Sequence, residues 1–271
     1  MFKWLLLFAG AGLFYLWIKG KKQAKLDSEN PIDLNKNKPK KVIDPEVMVQ
    51  CQYCKLHLPE SEALQHDSRF YCSKEHLQVL DSEGWIGNAH WCVSPNQDAR
   101  PENISPDLAV IHHISLPPGE FKNQTSSHHI VHFFQNKLDP NGHPYFAEIA
   151  NQKVSSHFLI TRSGQLMQFV STQNKAWHAG KSSFFGRDKC NDFSLGIELE
   201  GDGETPFEEV QYEALNNLIK KVAGAYPQLQ FAGHSDIAPD RKTDPGKYFD
   251  WKKFQKETGI SPDKLPFGLG S

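Results

Sequence analysis

A chain of 271 residues has room for one large domain and a small module. Its 30 basic and 32 acidic residues nearly cancel, which excludes the overall basic footprint of a nucleic-acid binder. Five cysteines, an odd number with three of them clustered, argue against a secreted disulfide framework, and 13 histidines favour metal chemistry.

The chain opens MFKWLLLFAGAGLFYLWIKGKKQAK. From Trp4 to Ile18 it is apolar or small without a break, near the short limit for a membrane span. Bulky Leu16, Trp17 and Ile18 stand where a signal-peptide cleavage site would need small residues. The expectation is an uncleaved transmembrane anchor over 1–25. Lys19, Lys21, Lys22 and Lys25 follow the span and only Lys3 precedes it, so the positive-inside rule puts the body on the cytoplasmic side of the inner membrane as a single-pass protein. Residues 26–47, with three prolines and four lysines, read as a polar linker.

Residues 48–80 hold Cys51-x-x-Cys54 and, after 17 residues, Cys72-x-x-x-His76. Zinc takes four nitrogen or sulfur ligands in a tetrahedron, and these spacings bring two thiolates to a tight turn and two ligands to one helical face. A segment this short needs a staple in place of a core. Structural zinc on Cys51, Cys54, Cys72 and His76 is the expectation; His57 and His66 are less regularly spaced substitutes for His76. The stretch resembles short, membrane-anchored zinc-ribbon-like proteins of bacteria. A closed site leaves no position for substrate, and the protein partner of such a module is unknown.

From about 81 to 265 the composition turns to aromatic and β-branched runs. LAVIHHIS (108–115) reads as a buried strand; VSSHFLIT (154–161) and QLMQFV (165–170) flank a turn as a hairpin. In SLGIELEG (194–201) Leu195, Ile197 and Leu199 alternate with Gly196, Glu198 and Glu200. FEEVQYEALNNLIKKVAGAY (207–226) is an amphipathic helix with Val210, Ala214, Leu218 and Val222 at helical spacing. LQFAGHSD reads as a strand entering the loop GHSDIAPDRKTDPG (233–246). The fold class is α/β, a mixed central sheet packed by helices.

Polar residues gather at strand ends, where such sheets place their sites. A zinc hydrolase needs three protein ligands and an open position for water, with a carboxylate to take a proton. His112 or His113, His234 and one of Asp236, Asp240 and Asp244 meet that need; spacing does not choose among them. Glu198 is a candidate proton carrier, or a strand residue facing solvent. Lys242 is a cation able to steady an oxyanion. His128, His129 and His132 in SSHHIVHFF read as a helical surface, and Cys92 and Cys190 as free thiols.

The stretches VIHHISLPPGEF, DPNGHPYFAEIA, VSSHFLI, KAWHAGKSSFFGRDKCNDFSLGIELEG and GHSDIAPDRKTDPG resemble, in order, the AmpD family of anhydro-N-acetylmuramoyl-L-alanine amidases. The resemblance implies the fold shared with peptidoglycan-recognition proteins. It implies zinc on His112, His234 and Asp244, Glu198 as general base and Lys242 as the transition-state cation. His113, Lys153, Trp177 and Lys189 fall at substrate-contacting positions. Two zinc ions are then expected, one catalytic and one structural. The implied reaction cleaves the lactyl–L-alanine amide of anhydromuropeptides in peptidoglycan recycling. Alternatives are a periplasmic amidase acting on intact peptidoglycan and a non-catalytic muropeptide-binding sensor.

Overall fold

The computed structural model describes residues 46–121 and 124–269, with only the backbone at Gln124 and Thr125. The expected anchor and linker, 1–25 and 26–47, lie almost wholly outside the described residues. Among the described residues no helix is long and apolar enough to cross a membrane. The expectation of a single-pass inner-membrane protein is corrected on that finding and withdrawn.

From Val47 onward the chain is one compact unit. It begins with a small lobe. Strand β1 (Met48–Gln50) pairs antiparallel with β2 (His57–Pro59), and β3 (Leu64–His66) with β4 (Arg69–Tyr71). A five-residue helix, Lys74–Gln78, comes next, capped by the Ser73 side chain, which accepts from the His76 N–H. The lobe's buried apolar centre is only Cys51, Leu58 and Tyr71. The lobe leans on the segment 87–91. Tyr71 donates to the Gly87 carbonyl at 3.3 Å, and Arg69 donates to the Ala89 carbonyl at 2.8 Å while stacking 3.7 Å over the Trp91 ring.

The body is built on a six-stranded mixed sheet. Along the chain come β5 (His90–Trp91), β6 (Gln97–Ala99), β7 (Leu108–Ile114), β8 (Phe158–Ile160), β9 (Leu166–Gln168), β10 (Asn174–Ala176), β11 (Ser183–Phe184), β12 (Arg187–Asp188), β13 (Ser194–Glu200) and β14 (Gln230–Gly233). The sheet order is β14-β7-β13-β8-β9-β5, with β14, β7, β13 and β8 mutually parallel and β8–β9 the predicted hairpin. The hairpin strands are shorter than predicted. Ser155 N–H turns away to the Trp177 carbonyl, whereas His157 still bonds both neighbours, donating to the Gly196 carbonyl and accepting from the Phe169 N–H.

Alternation along β7 and β13 splits two cores. Ala109, Ile111, Leu195, Ile197 and Leu199 face the long Glu209–Ala225 helix and the Trp251–Thr258 helix. On the opposite face Leu159 and Phe169 pack with Ile130 of the Gln124–Phe134 helix and Phe146 of the Pro144–Ile149 helix. The long helix buries Gln211, Tyr212, Leu215, Leu218, Ile219 and Val222. Its stripe is rotated from the predicted one, and Val210 stays exposed. The buried Gln211 side chain sets that rotation: it donates to the Glu200 carbonyl at 3.0 Å and accepts from the Glu208 N–H at 3.1 Å.

Candidate active site

Three adjacent parallel strands deliver the site. Glu198 on β13 is the register partner of His112 on β7, so both side chains leave the same face of the sheet. Gly233 on β14 pairs with Ile111, which sets His234 level with His112 at the strand's end. There the chain turns into the short His234–Ile237 helix. Asp236 closes that turn by accepting the Gly233 N–H at 2.7 Å. Arg241 donates to the Ala179 carbonyl at 2.6 Å and the Lys181 carbonyl at 2.8 Å. Asp236 and Arg241 therefore shape the loop, and Asp240 is exposed. Asp244 is the aspartate that returns to the histidines.

His112 Nδ1 lies 2.8 Å and His234 Nδ1 3.0 Å from Asp244 Oδ2, and the two nitrogens are 3.0 Å apart. All three residues are buried. Each histidine is held from behind. His234 Nε2 stands 3.1 Å from the Ala179 carbonyl, an acceptor that fixes the proton there and leaves Nδ1 as a lone pair. His112 Nε2 meets His178 Nδ1 at 2.9 Å, and His178 Nε2 meets Ser194 Oγ at 3.0 Å. Burial lowers His112 to about 4, against the pull of Asp244. Burial alone would raise Asp244, but hydrogen bonds and charge from His112 and His234 hold it well below the usual carboxylate range. Two imidazoles and a carboxylate converging on one point are the donor set a zinc ion takes, so these residues fit a zinc site.

Glu198 faces the same space. Burial first, then the Asp244 carboxylate, push it well above the ordinary range, while Lys242 opposes the shift. Its Oε2 is buried without a hydrogen-bond partner. Such an atom is costly unless something in the cleft uses it. The cleft has a volume of about 360 Å³ and is lined by His112, Glu198, His234, Lys242 and Asp244 together with His113, Trp177 and Asp202. Trp177 donates its indole N–H to Asp98 at 2.8 Å, which fixes the ring on the rim.

The four residues expected at the substrate divide. His113 and Trp177 line the cleft. Lys153 is exposed beside the lining residues Gln152 and Val154. Lys189 is exposed, in the left-handed region at φ 60°, and lines a separate hollow with Lys181 and Arg241. Sequence patterning assigns His178 no role, although it lies within AWHAG. A histidine directly after a cleft tryptophan is the signal available there.

In the lobe, Cys51, Cys54, Cys72 and His76 converge. Cys72 Sγ is 3.1 Å and Cys51 Sγ 3.8 Å from His76 Nδ1, and Cys54 and Cys72 sulfurs are 3.7 Å apart. Burial raises the Cys51 thiol, but backbone N–H groups of Cys54 and Cys72 and the His76 ring outweigh it and bring it down to about 6. A thiolate near neutral pH beside two thiols and an imidazole fits tetrahedral zinc.

The sequence pattern of the N-acetylmuramoyl-L-alanine amidase family (Amidase_2) matches residues 102–247. A 1,6-anhydro-N-acetylmuramyl-L-alanine amidase AmpD of Enterobacter cloacae is 47% identical over 188 residues, covering 69% of this chain and 98% of that protein. The AmpD of Escherichia coli K12 is 46% identical over 179 residues, 65% of this chain and 96% of its own. The crystal structure of a selenomethionine AmpD derivative superposes with a TM-score of 0.63 at 46% identity, covering 66% of this chain and 99% of that one. These relatives are matched over almost their whole length, which leaves no room in them for an apolar anchor.

Proposed function

This chain belongs to the N-acetylmuramoyl-L-alanine amidase family and is such an amidase, and from that premise we propose a zinc-dependent 1,6-anhydro-N-acetylmuramyl-L-alanine amidase of peptidoglycan recycling. The observation that carries the reading is the convergence of His112, His234 and Asp244 beside the unpartnered Glu198 Oε2 in one cleft. Zinc held by that trio would supply Lewis acidity, lowering the pKa of water and polarising the scissile carbonyl.

The chain's own residues do the rest. Glu198 accepts a proton from the attacking water at its orphan oxygen and returns it to the L-alanine amine as the amide breaks. Its strong proton affinity suits the first half of that task. Lys242 presents a positive charge to the carbonyl oxygen as negative charge develops there. Trp177 and His113 flank the muropeptide, and His178 keeps the His112 ring in one orientation. The 48–80 lobe serves as a structural zinc module on Cys51, Cys54, Cys72 and His76, ahead of an amidase body over 81–265.

The test offers the purified full chain an anhydromuropeptide and, separately, intact peptidoglycan, and tracks free peptide by mass spectrometry. Faster release from the anhydromuropeptide is expected. Preference for the intact wall would transfer the protein to wall trimming. No release from either substrate, with zinc bound, would make it a sensor.

A further inference from the structure

A third group of metal-ligating side chains lies away from both sites, at the seam between lobe and body. His66 ends β3, Asp67 sits in the β3–β4 turn, and His90 opens β5 of the main sheet. Their ligand atoms all fall within 4.8 Å of one another. His90 Nδ1 is 3.0 Å from Asp67 Oδ1, His66 Nε2 is 3.8 Å from Asp67 Oδ2, and the two rings are 5.0 Å apart, tilted by 51°.

An ion pair between His90 and Asp67 accounts for part of this, but an exposed pair of that kind contributes little. It leaves His66 unexplained. The His66 Nε2 atom is shut off from solvent, points at the carboxylate and has no hydrogen-bond partner. Asp67 holds the left-handed region at φ 50°, a conformation a non-glycine residue adopts at a cost. Its carboxylate reaches both rings, Oδ1 towards His90 and Oδ2 towards His66.

Arg69 is the opposing charge. Its guanidinium bonds Asp67 Oδ2 at 2.7 Å and is anchored on the Ala89 carbonyl and the Trp91 ring. It fixes the carboxylate plane from behind and leaves Oδ1 to the ligand side, as supporting hydrogen bonds do around metal-bound carboxylates. It also weakens the attraction for a cation.

We propose that His66 Nε2, Asp67 Oδ1 and His90 Nδ1 bind a divalent transition metal of the zinc class, clasping the lobe's hairpin to the first strand of the amidase sheet. Two imidazoles and one carboxylate select zinc, nickel or copper over magnesium and calcium. Ligand atoms around tetrahedral zinc stand roughly 3.4 Å apart, and the three groups offer theirs within 4.8 Å of one another, so side-chain rotations can close the site. The inference is independent of the catalytic reading, because none of the three residues lines the cleft.

The experiment measures zinc per chain in the full protein at equilibrium with buffered free zinc raised into the micromolar range. Wild type is expected to hold one more zinc than His66→Gln or His90→Gln, with zinc at the other two groups retained in both variants. Equal zinc content in all three proteins would overturn the clasp. A second measurement uses the unaltered protein and needs no variant. The His66 and His90 ring nitrogens should shift together in 15N spectra as zinc is added; rings that stay unshifted through the titration would overturn it equally.

Discussion

The two four-cornered chemistries of this chain are held in opposite ways. His112 sits on the seven-residue strand β7, His234 just past the adjacent parallel strand β14, and Asp244 on the loop that follows, with helices on both faces of the sheet. The Cys51, Cys54, Cys72 and His76 group hangs from turns and three-residue strands around a centre of three buried side chains. The first donor set is aimed before any metal arrives, and one side of it opens into a cleft. The second is closed, and in the proposed reading a bound zinc would supply much of its order. A sheet can hold an incomplete coordination sphere; a small lobe needs a complete one.

The sharpest way to break that contrast is to remove one ligand from each. Asp244→Ala should abolish zinc at the cleft and slow amide cleavage on the order of 10³-fold or more, while the lobe keeps its zinc. Metal analysis alongside peptide release checks both halves. Cys51→Ser should do the reverse: the lobe loses zinc and becomes an early target in limited proteolysis, with the cleavage rate changed less than about tenfold. A comparable fall in rate for both variants would erase the distinction.

A smaller effect tests the sheet. Ile197 is fully buried on β13, between β7 and β8 and next to Glu198. Ile197→Ala should cost about 2–5 kcal/mol by denaturant unfolding while leaving zinc at the cleft. A pH effect confined to the body is the smallest near neutrality and grows only towards acid pH. His157 is fully buried, and burial with Arg100 alongside lowers it to about 3. Its folded value lies below the unfolded one, so the unfolded chain binds the extra proton. Its contribution is complete above about pH 6.5 and drains as pH falls towards 3, by about 1.4 kcal/mol per pH unit. Unfolding curves across that range should show the slope, and His157→Gln should flatten it.

Much of the body was legible because its long elements carry their own period. Leu108–Ile114, Ser194–Glu200 and Glu209–Ala225 are long enough for alternation or helical spacing to speak. The choice among Asp236, Asp240 and Asp244 was not legible from spacing, since a loop has no period; family resemblance singled out Asp244, and the fold brings it to the histidines. The two- and three-residue strands β5, β6, β10, β11 and β12 are too short to carry a pattern. Partners far apart in sequence stayed hidden for another reason. His178 behind His112 and Arg69 on Trp91 are tertiary contacts that local patterning does not encode. The outward position of Lys189 likewise comes from a turn geometry with no local signature.

Central to the proposed chemistry is Glu198 as the proton carrier beside a zinc that it would not ligate. The direct measurement is anhydromuropeptide cleavage by Glu198→Gln, with its zinc content determined on the same sample. Wild-type zinc content and a rate lowered by roughly 10²–10⁴-fold are predicted. A zinc-loaded Glu198→Gln protein that cleaves at the wild-type rate would contradict that role.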